Sequence, residues 1–221
     1  MISLCEVSKK YKTKMGHKVV LNNVSYDFVP GTSVGILGRN GAGKSTLLRI
    51  LGGSEPPDTG RVVRKGKISW PLGFRCGFNS VLSGRENLKF TCRLYDEDYK
   101  RVTAFVEDFA ELGEYIDMPV GSYSSGMMAK LAFGLSMSFK FDFFLIDEIT
   151  AVGDAVFRKK SNAYFEKRKE DATLIVVSHD MQTIRRLCQK YLVLYKGQLI
   201  EFTDNLEAEK FYQDMCCAGV K

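Results

Sequence analysis

The 221-residue sequence predicts an α/β fold organised around a phosphate-binding loop, with a helical segment inserted between two strand-rich halves. Three observations carry this. The short apolar run Val34–Leu37 delivers the chain into Gly38-Arg39-Asn40-Gly41-Ala42-Gly43-Lys44-Ser45, a complete G-x-x-x-x-G-K-[ST]. A helical apolar pattern follows directly at Leu47, Leu48, Ile50 and Leu51. The continuous apolar runs at 143–146 and 174–177 have the composition of buried parallel strands, and residues 84–139 between the halves keep a helical rhythm.

In chain order, residues 2–7 and 18–29 alternate apolar and polar positions, with Val20, Val24, Tyr26 and Phe28 on one parity. They read as strands joined through the polar segment 9–18. Pro30-Gly31 turns the chain into the loop strand, and SEPPDTG at 54–60 is a dense turn cluster. Residues 61–70 then read as two short strands about Gly66. In the middle third, Tyr99, Val102, Thr103, Val106, Phe109 and Ala110 share one helix face, as do Met128, Leu131, Ala132, Leu135 and Phe139. Beyond residue 142 the pattern alternates again. Helical stretches at about 156–168 and 181–188 separate strands, and a hairpin turns at Lys196-Gly197. Ala208, Phe211, Tyr212 and Met215 close with an amphipathic turn or two. The expected division is one domain, with 1–83 and 140–221 as core and 84–139 as a helical subdomain.

Composition sets the frame without choosing a function. A 45% hydrophobic and 26% charged chain is ordinary for a globular protein, and no apolar run approaches a membrane span. The first residues lack the apolar segment of a secretory signal, so the expected setting is the cytosol. The six cysteines show no C-x-x-C spacing and read as reduced thiols. A net charge of +6 suits an anionic ligand but is equally a solubility feature.

Each part of the loop has a physical job. Gly38, Gly41 and Gly43 let the backbone aim N–H groups at phosphate oxygens beside a positive helix end, with Arg39, Asn40, Ala42 and Thr46 completing the cradle. Lys44 adds a point charge for β- and γ-phosphates, and the Ser45 hydroxyl suits Mg²⁺. About 100 residues later FFLIDE, 143–148, ends a buried-looking strand in two acids. Asp147 is placed to hold Mg²⁺ opposite Ser45, and Glu148 is a candidate base for an attacking water. His179 ends the next apolar run, where such sheets bind ligands, and is read as a γ-phosphate or water contact. Ser124-Ser125-Gly126 precedes an amphipathic helix. Local chemistry leaves two readings there, a serine N-cap or a second anion site.

Together these residues resemble the ATP-binding subunits of ABC transporters over nearly the whole chain. The resemblance implies a P-loop NTPase (ABC ATPase) core with an antiparallel β subdomain and an inserted α-helical subdomain. Tyr11 matches the aromatic that stacks on adenine, and the phosphate loop follows it. Tyr123-Ser124-Ser125-Gly126-Met127 stands at the signature, Asp147-Glu148 ends the Walker B strand, Ala151-Val152-Gly153-Asp154 occupies the D-loop, and His179 is the switch histidine. The family implies a head-to-tail homodimer sandwiching two ATP molecules with Mg²⁺, Ser124 and Gly126 reaching the γ-phosphate from the second subunit. It also implies an integral membrane permease as partner and a peripheral place on the cytoplasmic face of the bacterial inner membrane.

Two departures stand out. The signature carries Ser125 and Met127 where the family has glycine and glutamine, and ISWPLGFRCGF, 68–78, lacks the glutamine expected before the helical subdomain. ISWPL, the GREN helix start, CRLYD and YSSGM resemble the ATPases of capsular-polysaccharide exporters in particular. The chain ends soon after its last hairpin, so no added carbohydrate-binding domain is expected. Phe74, Phe78 and Leu82 are read either as permease contacts or as local packing. The alternatives are the ATPase of another polysaccharide or lipid exporter, or a soluble ABC ATPase acting on nucleic acid or ribosomes. The interspersed charges and single cassette count against the latter, and the signature and His179 count against a small-molecule kinase.

Overall fold

The computed structural model describes residues 1–14, 16–72, 77–147 and 155–217, apart from the side chains of 155 and 158. Glu148, Asp154 and the rest of the D-loop, and Phe74, lie outside the described residues. The chain divides into two compact units: Met1–Pro71 with Phe141–Glu148 and Arg168–Lys221, and Leu72–Lys140 with Ile149–Lys167.

The first unit holds two sheets. Strands β1 (Ile2–Thr13), β2 (Gly16–Phe28) and β4 (Thr59–Arg64) form an antiparallel sheet in the order β2-β1-β4. Strands β3 (Val34–Leu37), β5 (Phe143–Asp147), β6 (Thr173–Val177), β7 (Lys190–Tyr195) and β8 (Gln198–Phe202) form the second, in the order β5-β6-β3-β7-β8. All neighbours there are parallel except β7 and β8, which make the expected hairpin. Every residue of β3 and β6 is buried, which is why these strands read as continuous apolar runs. Helix α1 (Lys44–Gly52) supplies Leu47, Leu48, Ile50 and Leu51, all fully buried, to a core that also takes Ile2, Phe28, Leu145 and Ile175 from the two sheets. Each such side chain contributes roughly 1.5–3 kcal/mol by leaving water. Gly35 admits helix α6 (Met181–Leu187) onto the parallel sheet, because a Cβ there would lie 2.4 Å from Ile184 Cγ2.

Two local expectations change. The polar segment 9–18 is not a connector: β1 and β2 stay paired to its end, with Tyr11 opposite Lys18, Lys12 opposite His17 and Thr13 opposite Gly16. Backbone pairing holds this ribbon, and with mostly exposed side chains it carries no apolar alternation. Among the described residues after Gly66, 67–72, there is no second strand; Ile68 makes an isolated bridge to Phe143, fixed by Leu145 N–H donating to Ser69 Oγ at 2.9 Å.

The second unit is helical. It contains α2 (Gly84–Tyr95), α3 (Tyr99–Ala110), α4 (Ser125–Ser138), two 3₁₀ turns at Gly113–Asp117 and Val120–Ser122, and the first part of α5 (Ala155–Asp171). The first part of helix α5 joins it, although the sequence reading placed residues 140–221 with the core. The reason is aromatic packing. Phe109 of α3 stacks on Phe133 of α4 at 5.2 Å, and α5 adds Phe157, Tyr164 and Phe165 edge-on to that pair. Lys160 of α5 also donates to the carbonyl of Phe109 and to Glu111 Oε1, satisfying the C-terminal end of α3 with a cation.

Candidate functional site

The phosphate loop joins β3 to α1, and α1 begins without a side-chain cap. Its N-cap is Gly43 at φ 111°, a left-handed conformation that glycine adopts without strain. A Cβ at Gly43 would come within 3.0 Å of Val20 Cβ and 3.1 Å of Val20 O. The first helical bond runs from Leu47 N–H to Gly43 O, so the N–H groups of Lys44, Ser45 and Thr46 precede the helical ladder. Helices α2, α3, α4 and α6 are instead capped by the side chains of Ser83, Asp98, Ser124 and Asp180.

Lys44 is 8% exposed and folds back along the loop, donating to Gly38 O at 2.6 Å and Arg39 O at 3.2 Å. The turn is closed by Ala42 N–H to Arg39 O at 3.0 Å, leaving Arg39, Asn40 and Gly41 exposed at its tip. Lys18 reaches in from the β2 side of the ribbon and donates to Gly41 O at 2.8 Å. The Ser45 hydroxyl is half-buried at the helix start.

Strand register brings the other motifs to the same edge. Ile36 of β3 pairs with Val177 of β6, and Val177 pairs with Asp147 of β5. One row across three parallel strands therefore ends in Asp147, precedes Gly38 by two residues and precedes His179 by two residues. All three motifs leave the C-terminal edge of the sheet, where ligands of such sheets bind. His179 is exposed, between buried Ser178 and the cap of α6. There Asp180 accepts from Thr183 Oγ1 at 2.6 Å and from the N–H of Gln182 and Thr183. The Thr183 hydroxyl, acting against the opposing effect of burial and aided by those N–H groups, holds the Asp180 carboxyl below its ordinary value.

Tyr11 lies half-buried next to α1, and its phenol belongs to a network. It donates to Glu55 Oε1 at 2.6 Å and lies 3.2 Å from Thr46 Oγ1. Arg49 of α1 donates to Glu55 Oε2 at 2.9 Å and to Thr46 Oγ1 at 3.1 Å. Lys9 lies 3.2 Å from both Glu55 and Asp58. Burial works against a charged Glu55, but the hydrogen bonds from Tyr11, Arg49 and Lys9 outweigh it and keep its carboxyl below the usual range. The Thr46 hydroxyl is thus engaged with Tyr11 and Arg49, leaving its N–H as the group at the helix end. Sequence reasoning missed Lys18, Arg49 and Glu55, which sit in an unpatterned ribbon, an ordinary helix position and a turn cluster.

In the helical unit, Ser124 caps α4, its Oγ accepting from Met127 N–H at 3.2 Å, and Ser125 follows it as an exposed residue. Tyr123 anchors this turn by donating to Tyr115 O at 2.6 Å. A depression of about 330 Å³ opens here, lined by Glu111, Leu112, Tyr115, Ser124, Gly126, Met127 and Lys130. Local geometry makes Ser124 a working N-cap, the first of the two readings. Phe78 and Leu82 are half-buried, while Val81 between them is 79% exposed.

Comparison with known proteins gives a consistent picture. Residues 21–151, more than half the chain, match the family described as ABC transporter. The polysialic acid transport ATP-binding protein KpsT of Escherichia coli is 43% identical over 221 residues, covering 97% of this chain and 99% of that protein. The capsule polysaccharide export ATP-binding protein CtrD of Neisseria meningitidis serogroup B is 48% identical, covering 97% of this chain and all of that one. Among solved structures, the dimeric post-hydrolysis state of the ATP-binding cassette MJ0796 bound to ADP and Pi superposes with a TM-score of 0.78 at 23% identity. That match covers 92% of this chain and 98% of that one, and it shows the fold.

Proposed function

The chain belongs to the ABC transporter ATP-binding proteins, and from that premise we propose that it is the ATP-hydrolysing motor of a capsular polysaccharide exporter. The observation that carries the ATPase reading is the row Ile36–Val177–Asp147, after which the phosphate loop, His179 and Asp147 share one sheet edge. The export reading rests on near-full-length likeness to proteins named for polysialic acid and capsule polysaccharide transport.

In this reading the phosphates lie against the N–H groups of 38–46, the open end of α1 and Lys44. Tyr11 receives the adenine. Ser45 and Asp147 offer the hard oxygen ligands that Mg²⁺ takes, and the bound ion would neutralise charge on the β- and γ-phosphates. Glu148 takes a proton from the attacking water as its oxygen bonds to the γ-phosphorus and the bond to the β–γ bridging oxygen breaks. His179 orients that water or the γ-phosphate. ADP and phosphate then leave.

A second copy of the chain, placed head to tail, supplies Ser124, Ser125 and Gly126 to the γ-phosphate, and Asp154 lies beside that contact. The permease is a separate integral membrane protein. Among the described residues no helix is long and apolar enough to cross a bilayer, and the chain would sit peripherally at the cytoplasmic face through that partner. Phe78 and Leu82 are its proposed apolar contacts.

Steady-state turnover tests the chemistry. Glu148→Gln should lower ATP hydrolysis by ~10²–10⁴ while leaving ATP binding intact. Turnover equal to that of the parent chain would overturn the assignment of Glu148 as the base.

A further inference from the structure

Tyr11 and Lys18 face each other directly across the β1–β2 ribbon, and each grips the phosphate loop at a different place. Lys18 holds the turn itself, at Gly41 O. Tyr11 holds the helix behind it, through a bracket whose centre is Glu55. One oxygen of that carboxylate takes the Tyr11 phenol at 2.6 Å, and the other takes Arg49 Nε at 2.9 Å. Arg49 Nη2 also donates to the phenol at 3.3 Å and to Thr46 Oγ1 at 3.1 Å. Lys9 completes the bracket, 5.7 Å above the Tyr11 ring and 3.2 Å from Glu55.

A tyrosine ring swings about two side-chain torsions. A short bond from its phenol to an ionised carboxylate, whose other oxygen is held by Arg49 Nε, removes much of that freedom. Arg49 belongs to α1, so the ring is fixed with respect to the helix that follows the phosphate loop.

We propose that Glu55 is a positioning residue for the nucleotide base: it sets the Tyr11 ring as a preformed stacking platform, while Lys18 acts on the phosphate half of the ligand alone. The inference rests on the reading that Tyr11 receives the adenine. Removing Glu55 leaves the phenol without its carboxylate partner and places two cations, Lys9 and Arg49, beside a loosened ring. The phosphate loop keeps Lys44, Lys18 and its own turn.

The test compares two ligands with the purified chain by titration calorimetry in Mg²⁺: ATP, and inorganic tripolyphosphate, which has no base. Glu55→Ala should weaken ATP about tenfold, part of the value of one aromatic–base stack, and leave tripolyphosphate unchanged. Glu55→Gln, which still accepts from the phenol, should keep most of the ATP affinity. Tyr11→Phe should match Glu55→Ala, and the double variant should lose no more than either single one. Lys18→Ala should weaken both ligands alike. Equal weakening of both ligands by Glu55→Ala would overturn the proposal, making Glu55 a support of the loop as a whole. Unchanged ATP affinity in Glu55→Ala, where Tyr11→Ala does weaken ATP, would also overturn it while sparing the base reading. Unchanged ATP affinity in Tyr11→Ala would instead remove the base reading on which the proposal rests, and the proposal with it.

Discussion

Two helices in this chain begin at candidate phosphate contacts, and they begin differently. Helix α1 starts from a left-handed glycine with no side-chain cap, beside a lysine only 8% exposed whose ammonium has turned back to loop carbonyls. Helix α4 starts from a serine whose hydroxyl already accepts a helix N–H. The first end leaves the N–H groups of Lys44, Ser45 and Thr46 ahead of the helical ladder, beside a desolvated cation held by loop carbonyls, an arrangement stabilised by an anion. The second end is satisfied within the chain and gives up one modest bond to take a ligand. On the proposed reading the phosphate loop binds ATP within a single chain, whereas the α4 end acts only when another subunit presents a phosphate to it.

The largest effect that breaks this contrast falls on α1. Lys44→Ala should weaken ATP by roughly 100-fold, the loss of a charge-assisted contact of about 3 kcal/mol, measurable by nucleotide titration. Ser124→Ala should behave in the opposite way. It removes a cap worth about 1 kcal/mol, lowers Tm by about 2–4 °C in a chain of this size, and leaves the ATP affinity of the single chain unchanged. The smallest effect is the acid response of the Glu55 bracket. Its folded pKa is depressed below the ordinary 4.5, so its stabilisation is present above that value and is lost as pH falls through the folded pKa. Glu55→Gln should accordingly flatten the fall of Tm below about pH 4.5, by an amount within about 1 kcal/mol.

The two ends also differed in how far the sequence revealed them. Glycine and lysine spacing announced the phosphate loop, and the buried strands β3, β5 and β6 appeared as apolar runs because both their faces are covered. What no single segment encodes is register. That Asp147, Val177 and Ile36 share one row follows from hydrogen-bonded pairing across strands far apart in sequence. The ribbon at 9–18 was hidden because pairing of exposed residues leaves no hydrophobic period, and with it went Lys18. Glu55 looked like any acid in a turn cluster until folding put it against Tyr11 and Arg49. The membership of α5 was hidden for another reason: its aromatic residues pack on α3 and α4, and a helix pattern records that a face is buried but not against what. At α4, the sequence offers Ser124 both as a cap and as an anion site, and the structure shows the cap.

Light scattering of the Glu148→Gln chain with and without Mg²⁺-ATP, alone and combined with Ser124→Arg, tests that contrast most directly. The account predicts dimers that form only with ATP, vanish with Ser124→Arg, and leave the ATP affinity of the remaining monomer unchanged. Dimers that persist with Ser124→Arg, or a monomer whose ATP affinity falls as far as with Lys44→Ala, would contradict it.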